Sequence, residues 1–155
     1  NAWYKRIGIG ALCLIMLVEC VYFWHQYSGI SNSYQSTLRN DGDPEVVKYV
    51  IAHKNEYTRV YMTKFDRIPL YYLFYANSFD RSLLGQFEPG FSIKQVDNVT
   101  FVDHNCASSV LPADAMTKHI LVVDNATCEG KKGLGGIGAI NRKDGTAAYR
   151  IFSTK

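Results

Sequence analysis

The sequence has no long basic run, no internal repeat, no low-complexity tract and only four cysteines in 155 residues. With Lys5, Arg6 and Glu19 set aside, the rest of the chain carries fifteen Lys and Arg against thirteen Asp and Glu. Its densest positive clusters there are the pairs Lys131-Lys132 and Arg142-Lys143. The electrostatic footprint that tracks a nucleic-acid backbone is missing, which excludes nucleic acid as a partner. Charge is scarcest between Ile7 and Trp24, eighteen residues in which Glu19 is the sole charged side chain.

That apolar stretch reads as a membrane span. At a rise of ~1.5 Å per residue it covers roughly 27 Å, against a hydrocarbon thickness of ~30 Å. Glu19 costs about 2.5–3.5 kcal/mol at the centre of a span and less toward an end. The nine Leu, Ile, Val and Phe residues of the stretch gain about 0.3–0.6 kcal/mol each and offset it. A cleaved signal peptide ends in small residues. This run ends instead in Val21-Tyr22-Phe23-Trp24 with Tyr27 beyond, and Trp3 and Tyr4 flank its start, so aromatic residues mark both interfaces. Leu12 before Cys13 and Glu19 before Cys20 are not the small residues that a lipoprotein cleavage site requires. The expectation is a retained transmembrane helix with flanks over residues 1–27. Lys5 and Arg6 place the N-terminus in the cytoplasm and everything from about Ser28 outside it.

The remainder, about 130 residues, suffices for one domain with its own core. We expect a connector over 28–43 and an extracytoplasmic α/β domain over 44–155. Asp43-Pro44-Glu45 is a helix start, with Asp43 as cap and Pro44 at the first helical position, and Val46, Val47, Val50 and Ile51 form its apolar face to about Asn55. Thr58–Thr63 reads as a strand, and Pro69 opens a second helix running through the aromatic residues to Phe79. Phe91–Val96 and Val99–Asp103 read as strands around an Asp97-Asn98 turn, and Pro112–Lys118 as a short helix. His119–Asp124 has the continuous apolar pattern of a strand covered on both faces. Ile137–Asn141 and Thr146–Ser153 flank Asp144-Gly145 as a hairpin. The sum is an α/β domain with a mixed sheet, flanking helices and a C-terminal β-hairpin.

Candidate chemistry is sparse. Gly133, Gly135, Gly136 and Gly138 have dinucleotide-binding spacing but lead into a hairpin, so they read as a flexible loop. Asp41, Asp43 and Glu45 lack calcium-loop spacing, and Asp66-Arg67 reads as a loop ion pair. His104, Cys106, His119 and Cys128 match no zinc spacing, and nothing marks either thiol as an activated nucleophile. Cys106 and Cys128 are either a disulfide or two separate buried thiols. Asn98 and Asn125 head short glycosylation patterns. The aromatic cluster Tyr61, Tyr71, Tyr72, Phe74 and Tyr75 covers more than one face of a helix. Tyr71, Tyr72 and Tyr75 are the candidate contacts to a glycan or to the membrane surface. No catalytic, cofactor-binding or metal-ligating residue is expected.

The order of parts nevertheless resembles a known pattern. A span ending in aromatics, then Tyr27 and Tyr34, the Asp43-Pro-Glu-Val-Val-Lys-Tyr-Val helix, Tyr57-Thr-Arg-Val-Tyr-Met-Thr, Pro69-Leu-Tyr-Tyr-Leu-Phe-Tyr and a closing Asp144-Gly-Thr-Ala-Ala-Tyr-Arg-Ile-Phe are similar to the tail of a polytopic membrane glycosyltransferase. The group is the protein-mannosyltransferase and aminoarabinose-transferase-like superfamily. The resemblance implies a non-catalytic extracytoplasmic domain that shapes acceptor access. Its parent enzyme draws on a lipid-phosphate-linked sugar and holds its catalytic acids in an earlier loop. It implies as partners the remaining transmembrane part of that enzyme, the lipid bilayer and a glycan or protein acceptor, with no cofactor in this segment. A second reading is a self-contained bitopic envelope protein whose outer domain binds a partner protein. A third is a small hydrolase using His104, Cys106 and Asp124.

Overall fold

In the computed structural model, which describes residues 2–30, 41–64, 67–78, 80–87 and 93–154, the chain opens with helix α1 (Ala2–His25), and a π-helical turn carries it on through Gln26–Ile30. Its side chains from Trp3 to Trp24 are exposed all round, Leu14 and Leu17 as much as Tyr4 and Trp24. A helix apolar on every side needs an apolar medium. Among the described residues it is the one helix long and apolar enough to cross a membrane, over Trp3–Ser28. Helical structure thus reaches three residues past Tyr27, into the stretch expected to be connector. Residues 31–40 of that connector lie outside the described residues.

The chain divides into two compact units, Asn1–Arg39 and Asn40–Lys155. The second is built on helix α2 (Asp43–His53), strand β1 (Arg59–Thr63), helix α3 (Ile68–Tyr75), strands β2 (Gln95–Val96), β3 (Val99–Val102) and β4 (Ile120–Asn125), and the hairpin β5 (Gly135–Asn141) and β6 (Ala147–Ser153). One six-stranded sheet has the order β2-β3-β1-β4-β6-β5. Strand β1 is parallel to both β3 and β4, and the remaining pairings are antiparallel. The fold is α/β with a mixed sheet and a C-terminal hairpin.

Period-two alternation divides the sheet residues between two cores. Val60, Met62, Leu121, Val123, Tyr149 and Ile151 pack with Val46, Val47 and Val50 of α2 and Ile68, Tyr72 and Leu73 of α3. Tyr61, Ile120, Val122 and Phe152 pack on the other side against Ala107, Leu111 and Ala115. These last three come from 3₁₀ turns at Ala107–Val110 and Ala113–Thr117 and the link between them. Strand β4 is buried on both faces from Ile120 to Asp124, as its unbroken apolar run requires.

Several local expectations need correction. Asp43 does not cap α2. The cap position is Gly42, at φ +104° with no side-chain bond, and Asp43 is the first helical residue. A Cβ on Gly42 would lie 2.6 Å from the Cβ of Ala148, so close packing on β6 requires glycine there. Asp43 is buried, and its Oδ1 accepts a 2.6 Å hydrogen bond from the Tyr149 hydroxyl. Helix α3 ends at Tyr75, and Phe79 falls outside the described residues, as do Asp66, Phe91 and Ser92. The glycine run is not all loop: Gly135, Gly136 and Gly138 belong to β5, one of the two edge strands of the sheet. At the other end of the hairpin, Gly145 (φ +85°) closes the turn and Arg142 N–H donates to Thr146 O at 2.7 Å.

Candidate functional site

Helix α3 sorts its aromatic residues by the 3.6-residue period. Ile68, Pro69, Tyr72 and Leu73 turn inward. Leu70, Tyr71, Phe74 and Tyr75 turn away from that face and, with Arg67, line a groove of about 520 Å³. Phe74 is 75% exposed and Tyr75 36%. Their rings meet edge to face at 5.2 Å, and the Lys48 ammonium sits 4.9 Å from the centre of the Tyr75 ring. Tyr71 is half-buried against the core.

Tyr72, one of the three expected surface contacts, is instead fully buried. Its ring stands edge-on to Phe101 at 5.6 Å, and its hydroxyl accepts a 3.1 Å bond from Lys54 Nζ. It is core and cannot touch a glycan or a lipid. The pair that remains from that expectation is Tyr71 and Tyr75, with Phe74 as the most exposed ring between them.

Lys54 also donates to Asp97 at 2.6 Å, which ties the end of α2 to the β2–β3 turn. Burial alone would lower the Lys54 pKa, but the bonds to Asp97 and Tyr72 outweigh it and the net shift is upward. Burial raises the Tyr72 phenol, and burial with the nearby Tyr49 and Glu56 raises Tyr57. A group whose pKa is raised on folding contributes stability that is full below its unfolded value, here 10.0 for tyrosine and 10.5 for lysine, and lost as pH rises through the folded one. All three therefore act in the same sense. Unfolding midpoints should hold between about pH 7 and 9 and fall above about pH 10. In a Y57F/Y72F variant the fall should be shallower, and an unchanged slope would show that these groups do not govern it.

The cysteines of the domain are joined: Cys106 and Cys128 form a disulfide with Cα atoms 5.6 Å apart. Both sulfurs are thereby unavailable as thiolates for metal or for nucleophilic attack. The histidines near them hold backbone. His104 Nδ1 accepts from Cys106 N–H at 3.1 Å and lies 3.2 Å from the Ser109 hydroxyl. His119 stacks on Tyr57 at 4.7 Å with its Nδ1 3.1 Å from Glu56 O. Among the described residues no group of three His, Cys, Asp or Glu is placed to hold a metal ion. Asp124 is fully buried at the end of β4, and its Oδ1 accepts from Ser108 N–H at 2.9 Å. His104 Nδ1, the Cys106 sulfur and Asp124 Oδ1 thus have structural partners, while Asp124 Oδ2 is buried with no hydrogen-bond partner among the described residues. Of the two glycosylation patterns, Asn98 spends its amide on Lys54 O and Tyr57 O, at 2.8 and 3.1 Å. Asn125 accepts from Thr127 N–H and its hydroxyl.

Two features escaped the sequence reading: the Lys54–Tyr72–Asp97 link and a crevice beside the disulfide. The first was within reach, because placing Ile68, Tyr72 and Leu73 on one helical face identifies the buried tyrosine. No family model, curated protein or solved structure matches the chain.

Proposed function

We propose that the chain is a non-catalytic extracytoplasmic module of a membrane glycosyltransferase that uses a lipid-phosphate-linked sugar, held by α1 and shaping access of the acceptor. The N-terminus is cytoplasmic and the α/β domain lies outside. The reading is supported by the apolar helix preceding an α/β domain and by the ordered tail pattern from Asp43 to Phe152. The observation that carries it is the solvent-facing aromatic side of α3. Phe74 and Tyr75 offer two ring faces beside a 520 Å³ groove with Arg67 at its rim. Flat apolar rings flanked by polar hydrogen-bonding groups are the surface on which sugar rings stack.

The test is a titration of the full chain, held in maltoside-free nanodiscs, with acceptor-type oligosaccharides while the amide signals of residues 67–75 are followed. A saturable response confined to that helix is expected. Taking each ring contact at about 0.5–1.5 kcal/mol, F74S/Y75S should weaken binding roughly tenfold or more. No response to any glycan, together with a protein from an envelope extract occupying the same helix face, would replace this reading with that of a bitopic partner-binding protein.

A further inference from the structure

The sheet changes direction at β1. The chain leaves β1 for β3 on one side, then returns over it to β4 on the other, so β1 and β4 are neighbours whose onward connections diverge. In open α/β sheets ligands settle in the crevice outside the carboxyl ends of the strands at such a switch. Here the segments that follow β3 and β4 line an open crevice of about 410 Å³.

The walls are fixed. The Cys106–Cys128 disulfide joins the two segments, Asn125 N–H donates to Asn105 O at 3.2 Å, and Arg150 donates to Cys128 O at 3.1 Å. Gly130 has φ +82° and lies so close to Phe152 that a Cβ would sit 2.7 Å from its ring, so the loop follows the core surface with no space beneath it. The polar lining is unspent. Ser108 is 2% exposed, faces the crevice, and its hydroxyl has no partner among the described residues. Lys131 and Lys132 are exposed at the rim and form no ion pair among the described residues. Glu129 opposes them with one negative charge at the rim, and the buried Asp124 carboxylate lies behind the backbone of Ser108, its Oδ1 taking the Ser108 N–H and its Oδ2 without a partner among the described residues. Two ammonium groups and a hydroxyl on a rigid cradle suit a compact anion with several acceptor oxygens. They are too few to follow a polymer backbone.

We propose that this crevice binds a single phosphate group, carried either by a small molecule or by a lipid headgroup. The inference does not depend on the glycan reading, since it uses no residue of α3.

The experiment follows the amides of the full chain in maltoside micelles during titration with sodium phosphate at constant ionic strength, with sodium chloride as control. Saturable shifts are expected at residues 106–109 and 128–132. K131Q/K132Q should raise Kd about tenfold, S108A should raise it by a smaller factor, and K143Q at the hairpin tip should leave it unchanged. A second arm compares nanodiscs of phosphatidylcholine with and without phosphatidic acid. Shifts of the same amides in that arm alone identify the lipid headgroup as the source. The proposal falls if both arms are silent, if chloride produces the same shifts, or if the double lysine variant binds as tightly as the parent.

Discussion

Y72A is expected to lower the unfolding free energy of the domain by about 3–5 kcal/mol, while F74A, two residues along the same helix, should change it by less than about 0.5 kcal/mol. The contrast follows from where one turn of α3 points each ring. Tyr72 has no exposed surface and packs among Val60, Met62 and Phe101, so its removal leaves a ring-sized void in a core that relaxes only in part. It also strips the Lys54 ammonium of one hydrogen-bond acceptor, leaving Asp97 as the other. Phe74 is three-quarters exposed, and its truncation removes surface that already meets solvent. Y72F separates the two contributions of Tyr72: loss of the hydroxyl alone should cost about 1 kcal/mol. Urea unfolding of the full chain in micelles, read by hydrogen exchange in β1 and β4, measures all three. Similar losses for Y72A and F74A would mean that α3 is rotated from the orientation described, and the aromatic groove would go with it.

The elements that sequence could reveal are those whose cause is local. The long apolar helix declares itself because its run of that length carries a single charge, Glu19, and β4 because an unbroken Ile120–Val123 run fits a strand covered on both faces. The hairpin turn is written in Asp144-Gly145. What stayed hidden was set by partners distant in the chain. Asp43 looked like a cap because its neighbours are those of a helix start, but Tyr149, 106 residues away, claims its carboxylate. Asp97 and Asn98 read as a turn, and they are one; their bonds to Lys54 depend on a packing of α2 that no window of sequence contains. Tyr71, Tyr72 and Tyr75 looked equivalent as residue types, and only the helical period assigned to α3 tells the buried one from the others. The crevice beside the disulfide was invisible for the same reason. Its lining comes from two segments on either side of β4, brought together by the switch in strand order.

C106A/C128A should destabilise the domain by about 3 kcal/mol, the second-largest effect expected. The two cysteines are 22 positions apart, and closing a loop of that size removes roughly this much conformational freedom from the unfolded chain. The loss should be uneven. Strand β4 keeps its ladders to β1 and β6, and the face of the sheet that holds α2 and α3 makes no use of the disulfide. The Ala107–Val110 turn, by contrast, is held to the sheet by Ala107 packing and by the Ser108 N–H bond to Asp124. Hydrogen exchange should therefore show protection in β1 and β4 reduced only by the global loss, with a larger drop across residues 106–110 and 126–132. Because those segments also form the cradle, the variant should lose phosphate binding under conditions where the strands remain fully protected. A loss of stability below about 1 kcal/mol would show that the unfolded chain already holds these segments together.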